Sequence, residues 1–80
     1  MEIRLVAFGI ARDILDSSSS TISIVENADI SDLKRTLISR YPDFEKLASL
    51  RFAVNEEYQG DNYLLNTGDE VVIIPPVSGG

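Results

Sequence analysis

The apolar and polar positions of the chain alternate first between Glu2 and Phe8, a pattern that predicts a β-strand with two different faces. Gly9 interrupts this alternation, and the following sequence IARDIL fits a short helical turn that ends near Leu15. Odd-numbered and even-numbered side chains would lie on opposite faces of the strand. One face would carry Ile3, Leu5 and Ala7, and the other would carry Arg4, Val6 and Phe8.

A second alternating segment, Thr21 to Val25, predicts a second strand with Ile22 and Ile24 on one face. The polar stretch 16–20 before it, DSSSS, predicts a loop. Because the chain has no His that could activate a hydroxyl, we interpret these four serines as linker residues and not as nucleophiles.

The main helix is predicted by apolar residues that recur at helical spacing after Asp29. Asp29 can cap the first turn through its side-chain oxygen, and Pro42 ends the run. A helix with a single apolar stripe must bury it, so we expect this helix to lie across one face of a sheet. The stripe consists of Leu33, Leu37, Ile38 and Tyr41.

The second half of the chain predicts a shorter helical turn and three more strands. The third strand would run from Arg51 to Asn55 and the fourth would be short and centred on Tyr58, with turns at 55–57, 60–62 and 66–69. The last strand, Val71 to Ile74, is apolar on both faces. The residues expected in the short helical turn are Phe44, Leu47, Ala48 and Leu50.

A strand that is apolar on both faces usually lies at the centre of a sheet, often beside a parallel neighbour. We therefore expect the first and last strands to pair in parallel at the centre of a mixed sheet, with the main helix across one face. This α+β roll is the β-grasp, or ubiquitin-like, fold. Eighty residues suffice for one domain, expected over 1–76, followed by a flexible Gly-Gly tail over 77–80.

Two missing residue types exclude most catalytic chemistry. The chain has no Cys, hence no disulfide, thiol nucleophile or thiolate metal site, and no His, the commonest general base and metal ligand. No stretch has the spacing of a calcium loop. We therefore expect no metal site and no enzyme activity of the chain on its own.

The charge distribution adds an expectation about partners. The net charge of −6 argues against binding to nucleic acid, which requires clustered Lys and Arg. No basic residue lies in 52–80, so a partner that receives this end of the chain would be locally positive. The longest apolar run, Val71 to Val77, is too short to cross a membrane, and the first residues do not fit a signal peptide. A cytoplasmic protein is expected.

Over essentially its whole length, the sequence resembles the small subunits of molybdopterin synthase, a family of sulfur carriers. The similar segments are the strand that leads into Phe8 and ARDIL, and then AVNEEYQGDNYLLNTGDEVVIIPPVSGG. The closing PPVSGG is the most specific element, since a terminal Gly-Gly alone also fits ubiquitin-like carriers for thiamine synthesis or tRNA thiolation.

The resemblance implies a function that needs no reactive side chain in this protein. An E1-like activating enzyme would use ATP to adenylate the terminal carboxylate of Gly80, and sulfur transfer would then produce a thiocarboxylate. The carrier would dock on the large subunit of molybdopterin synthase, which supplies the catalytic side chains. Sulfur would pass to a cyclic pyranopterin monophosphate precursor and form the dithiolene of molybdopterin.

The tail has the composition that insertion into a narrow channel requires. Pro75 and Pro76 hold the stem extended and lower the entropy lost on binding, while Gly79 and Gly80 let the backbone approach closely. The expected inserted residues are Pro75, Pro76, Val77, Ser78, Gly79 and Gly80.

A docking surface is also expected. If the helix covers one face of the sheet, Phe8, Val72 and Ile74 form an apolar patch on the other, and such patches mark partner sites. The resemblance assigns interface roles to Phe8, Tyr58 and Ile74, and Arg12 could pair with an acid of the partner. Two alternatives stay open: a related carrier for thiamine, tRNA thiolation or protein conjugation, and an interaction domain that carries no sulfur.

Overall fold

The computed structural model describes residues 1–47 and 49–76, and its elements follow the predicted order. Ala48, which was expected in the short helical turn, and the tail residues Val77, Ser78, Gly79 and Gly80 lie outside the described residues. The elements are β1 (Glu2–Ala7), α1 (Gly9–Leu15), β2 (Ser19–Ser23), α2 (Ile30–Arg40), a 3-10 helix (Pro42–Lys46), β3 (Arg51–Val54), β4 (Glu57–Gln59) and β5 (Glu70–Ile74).

The five strands form one mixed sheet in the order β2-β1-β5-β3-β4. β1 and β5 are parallel, and the other neighbouring pairs are antiparallel. In register, Leu5 of β1 lies opposite Val71 of β5, which in turn lies opposite Val54 of β3. The prediction that the first and last strands pair in parallel inside a mixed sheet is confirmed.

The core lies between α2 and one face of the sheet. The odd-numbered residues of β1 lie on this face, and the apolar stripe of α2 packs against it. Leu33 and Leu37 of α2 are completely buried, and Ile38 and Tyr41 pack against the core as partly buried residues. The sheet residues in this cluster include Ile3, Leu5, Ala7, Phe52, Val54, Val71 and Ile73. These residues show that one face of the sheet is covered, as predicted.

The second strand begins and ends two residues earlier than its side-chain pattern predicts, at Ser19 and Ser23. The serines that were interpreted as loop residues pair with β1, Ser20 opposite Leu5 and Ser19 opposite Val6. Backbone groups of β1 supply hydrogen-bond partners whatever the side chain, so pairing overrides the low strand preference of serine.

The element boundaries around two helices also differ from the predictions. β1 ends at Ala7, and Phe8, still extended, precedes α1, which begins at Gly9 and not at Ile10. Pro42 ends α2 as predicted, but it also opens the 3-10 helix, because its fixed φ and missing N–H suit a first helical position.

Asp29 caps α2 in a reciprocal arrangement with Asp32. The Asp29 carboxylate accepts a hydrogen bond from the Asp32 backbone N–H at 2.9 Å, and the Asp32 carboxylate accepts one from the Asp29 N–H at 3.0 Å. The bond from the Asp32 N–H stabilises the charged form and lowers the pKa of Asp29 below its ordinary value. The predicted start of the helix is therefore confirmed.

Asn55 and Asp69 join the end of β3 to the turn before β5. The Asp69 carboxylate is buried and accepts hydrogen bonds from the Asn55 side-chain amide at 3.0 Å and the Asn66 N–H at 2.8 Å. The amide oxygen of Asn55 accepts from the Glu70 N–H at 3.1 Å. Asn55 has a φ of 50°, a left-handed conformation that asparagine tolerates. This network holds the start of β5 in register.

Replacing Asn55 with Asp should destabilise the protein by about 1–2 kcal/mol at pH 7, because a carboxylate cannot donate to Asp69. Two adjacent carboxylates raise the pKa of one of them in the folded state. The loss of stability in Asn55→Asp is therefore smallest at a pH below about 4, the pKa of an aspartate in the unfolded chain. It grows as the pH rises through the higher pKa that this carboxylate has in the folded variant. Urea unfolding of wild type and Asn55→Asp between pH 4 and pH 7 measures this difference.

Asn66→Asp is the matched control, because it adds the same charge near Asp69 while the Asn66 contact uses the backbone N–H. We expect this variant to lose much less stability than Asn55→Asp. Equal losses in the two variants would attribute the effect to charge alone and contradict the proposed donor role of the Asn55 amide.

Candidate partner-binding face

The sheet face opposite the core carries an apolar row across four strands. Val6 of β1, Val72 of β5, Ala53 of β3 and Tyr58 of β4 lie opposite one another in register. Val6 and Val72 are half-buried, and the Tyr58 side chain is 69% exposed. The alternation of the strands thus places apolar side chains on a face that no helix covers within the described part of the chain.

Phe8 and Ile74 extend this face beyond the row. Phe8 is 60% exposed and keeps an extended backbone after β1, so continuing the register by one residue places it beside Ile74. Ile74 ends β5 and lies opposite Arg51 of β3. We define the partner face as Val6, Phe8, Ala53, Tyr58, Val72 and Ile74, which includes four of the five interface residues that the sequence predicts.

A groove of about 360 Å³ begins where β5 ends, and it joins the partner face to the stem of the tail. β5 is the middle strand of the sheet, and Pro75 and Pro76, which follow it, share this groove with Tyr58 and Ile74. The residues that line the groove are Ser49, Arg51, Tyr58, Ile74, Pro75 and Pro76. Val77 to Gly80 continue from this groove in the sequence but lie outside the described residues.

Arg51 is a candidate that sequence reasoning missed. Arg51 alternates with the buried Phe52, so it lies on the same side of the sheet as the partner face, next to the stem of the tail. It is also the last basic residue of the sequence, which was the available signal. An exposed guanidinium at this position can form an ion pair with an acidic group of a bound partner.

Arg12, which was also predicted as an interface residue, lies apart from the groove at the stem of the tail. It is in the last turn of α1, and its backbone N–H donates to the Phe8 carbonyl at 3.3 Å. Its side chain lines a separate polar depression together with Asp13, Asp16, Ser17 and Ser18. The structure thus connects Arg12 to Phe8 through the backbone but not to Tyr58 and the stem prolines.

Three of the five acidic residues in 52–80 have partners within the protein. Asp69 is buried in hydrogen bonds, Asp61 lies 3.6 Å from the Lys34 ammonium, and Glu70 lies 3.9 Å from the Arg4 guanidinium. Glu56 and Glu57 are exposed in the turn before Tyr58 and at the start of β4. The acidity that a partner meets near Tyr58 therefore comes mainly from these two residues.

The described residues contain an exposed apolar face beside the stem of the tail. Residues 1–47 and 49–76 include no cluster of three metal-binding side chains and no helix that is long and apolar enough to cross a membrane. An apolar face beside an extended stem can bind another protein and present the tail to it.

Comparison with known proteins identifies relatives over the full length. The model of the ThiS family matches residues 5–80. The chain is 34% identical over 83 residues to a protein of Chlamydomonas reinhardtii named molybdopterin synthase sulfur carrier subunit, and the alignment covers all of both chains.

Two solved structures are similar. The putative molybdopterin converting factor subunit 1 of Pyrococcus furiosus superposes with a TM-score of 0.88, covers 96% of this chain and 99% of its own, and is 24% identical, which shows the fold alone. A chain from the complex of subunits 1 and 2 of molybdopterin-converting factor from Helicobacter pylori is 26% identical, with a TM-score of 0.68 and complete coverage of both chains. The predicted ubiquitin-like fold is confirmed.

A charge on the partner face should weaken binding to a partner subunit without unfolding the domain. We expect Phe8→Asp and Ile74→Asp each to raise the Kd at least about tenfold, because a carboxylate would be desolvated against an apolar surface. Isothermal titration calorimetry measures the Kd, and thermal unfolding checks the fold.

Leu64→Asp is the control, since Leu64 is 58% exposed and pairs with Asp29 away from the partner face. Its Kd should stay close to that of wild type. If Leu64→Asp weakens binding as much as Phe8→Asp, the partner does not bind specifically through the partner face.

Proposed function

The chain belongs to the ThiS family, and on that premise we propose that it is the sulfur-carrier subunit of a molybdopterin synthase. The observation that carries this proposal is that the central strand β5 ends beside an exposed apolar face, in a groove that Pro75 and Pro76 help to line. A partner bound to this face would lie close to the stem of the tail. The relative from Chlamydomonas, named as such a carrier, supports the proposal because its alignment covers both chains completely.

The proposed reaction takes place at the terminal carboxylate of Gly80. An activating enzyme transfers AMP from ATP to this carboxylate and releases pyrophosphate. A sulfur donor in the oxidation state of hydrosulfide then attacks the acyl carbon. AMP leaves, and a thiocarboxylate remains. The mixed anhydride provides the leaving group that a free carboxylate lacks, so the carrier itself needs no catalytic side chain.

The remaining residues of the chain present this group to two enzymes in turn. The partner face binds the large subunit, and the stiff stem directs Val77 to Gly80 into its active site, where the catalytic side chains lie. Glycines at 79 and 80 let the reacting carbonyl approach closely. The precursor that accepts sulfur is a cyclic pyranopterin monophosphate, and the setting is the cytoplasm. The complex of two subunits from Helicobacter pylori supports the assignment of a second subunit.

Incubation with the activating enzyme, ATP and a sulfide donor should raise the intact mass by the difference between sulfur and oxygen. High-resolution mass spectrometry measures this gain, and omission of ATP should prevent it. No gain with the cognate activating enzyme would refute the carrier function. Sulfur delivery to thiazole synthase, in place of the large subunit and its pyranopterin precursor, would instead assign the carrier to thiamine synthesis.

Deletion of Gly80 should abolish the mass gain, because the residue at the reacting position becomes Gly79 and the tail is one residue too short. The melting temperature should stay within about 1 °C of wild type, since glycine has no side chain to bury. Ser78→Ala is the control and should keep the full gain, because Ser78 is not proposed as a nucleophile. Retained sulfur loading in the Gly80 deletion would contradict the assignment of the reacting carboxylate.

A further inference from the structure

The two edges of the sheet differ in how they are protected. One edge is β4, a strand of only three residues, whereas β2 on the other edge has five. Edge strands usually avoid pairing with other chains through charged residues, prolines or bulges. β2 has the sequence SSTIS and contains neither a charged residue nor a proline. Its backbone is therefore open to a further strand unless other groups occupy it.

The backbone groups of β2 that face outward can be identified from the hydrogen bonds at both ends of the ladder. Ile24 exchanges two bonds with Met1, at 2.8 and 2.7 Å, and the Ala7 N–H donates to Ser18 at 3.0 Å. Inward and outward groups alternate in an antiparallel pair. The even-numbered residues of β2 therefore direct their backbone N–H and C=O groups toward β1. Ser19, Thr21 and Ser23 direct theirs outward, away from the sheet.

One of these three residues is protected by its own loop. The Ser17 hydroxyl donates to the Ser19 carbonyl at 2.7 Å and accepts from the Ser19 N–H at 3.2 Å, which occupies both outward groups. Within the described residues, no hydrogen bond outside the ladder with β1 engages the backbone of Thr21 or Ser23. Two donors and two acceptors in extended geometry thus remain open at this edge.

A groove of about 430 Å³ lies beside this open segment. One wall is Ser23 to Ala28, where Val25 is 72% exposed, and the other is a stripe of α2 residues. These helix residues, spaced at helical repeats so that they share one side of α2, are Asp32, Arg35, Thr36 and Arg40.

Arg40 is the basic residue of this groove that remains available to a ligand. Arg35 is already bound to the Asp32 carboxylate and to the Ser31 hydroxyl, and Glu26 lies 3.7 Å from the N-terminal ammonium. Arg40 takes part in none of the ion pairs among residues 1–47 and 49–76. A carboxylate that enters the groove would find its complement here.

We propose that the β2 edge is a second protein-binding site, which takes an extended segment of a partner protein as a sixth strand. The backbone of that segment pairs with Thr21 and Ser23. Its alternate side chains enter the groove, an apolar one against Ile24 and Val25 and an acidic one at Arg40.

A second copy of this chain fits the edge less well than such a segment. Each copy carries a net charge of −6, and symmetric pairing of two β2 strands brings identical charges together. Only two residues of β2 have open backbone groups, which suits a short peptide segment. The site is on the opposite sheet edge from Tyr58, so both surfaces can be occupied at once.

The probe for this site is an N-acetylated, C-amidated peptide, Thr-Val-Thr-Val-Thr-Glu-Thr, whose Val and Glu side chains share one face. Titration into isotope-labelled protein, followed by NMR, should shift the amide signals of Thr21, Ser23, Val25 and Arg40. Hydrogen exchange of the Thr21 and Ser23 amides should slow, because their N–H groups become bonded. A peptide with Pro in place of the central Val loses a donor and should bind at least about threefold more weakly.

The charge contact is tested with matched variants. Arg40→Glu should weaken binding of the Glu peptide at least about threefold and favour a peptide with Lys in place of Glu. Arg51→Glu, which changes the net charge equally but lies three strands away from β2, should leave the affinity unchanged. Equal effects of the two variants would overturn the role of Arg40.

Three other outcomes overturn the proposal as a whole. One is the absence of any shift at millimolar peptide, and another is a set of shifts confined to the partner face around Tyr58. The third is a dimer without peptide, detected by size-exclusion chromatography with light scattering, in which the Thr21 and Ser23 amides are already protected. That dimer would assign the edge to a second copy of the chain. None of these measurements depends on sulfur transfer, so the proposed function can fail or hold independently.

Discussion

The parallel pairing of β1 with β5 is the constraint on which the rest of the structure depends. It joins the two ends of the sequence through a register in which Leu5 meets Val71 and Ala7 meets Ile73. Two backbone bonds of 2.9 Å, from Gly68 to Glu2 and from Arg4 to Asp69, hold the turn before β5 against β1. Because this pair buries its odd-numbered side chains under α2, the same pairing determines which side chains are left on the other face.

This pairing has a direct functional consequence. A strand with a hydrogen-bonded neighbour on each side is held rigidly, so the chain leaves β5 at Ile74 in a defined direction. Pro75 and Pro76 continue that direction without needing sheet partners. In the proposed function, the fold binds enzymes through the partner face and presents the tail, whose reactive group is the terminal carboxylate of the backbone.

The two surfaces of the protein use different physical interactions. On the partner face, the row from Val6 to Tyr58 offers apolar side chains and almost no free backbone. At the β2 edge, Thr21 and Ser23 offer backbone groups and Arg40 offers charge. The proposed binding at the first surface depends on buried apolar area, and the proposed binding at the second depends on strand geometry. The second surface ends at Ser19, because the Ser17 hydroxyl already forms hydrogen bonds with the Ser19 C=O and N–H groups.

The sequence by itself determined which side chains are buried, because burial follows from the periodicity of strands and helices. Ile3, Leu5, Val71 and Ile73 could be assigned to one face by parity, and the double-sided β5 required a position inside the sheet. The closing prolines and glycines likewise identified the tail as the candidate working end.

Only the tertiary structure decided the features that arise from pairing between distant segments. The start of β2 at Ser19 depends on the register with β1, and the bond between Asn55 and Asp69 joins residues that β4 and the loop after it separate in the sequence. The position of Arg51 beside Ile74 and the open backbone of Thr21 and Ser23 also depend on strand order. Side-chain patterns encode which residues avoid water, whereas backbone groups are the same in every residue, so their partners are known only once the chain has folded.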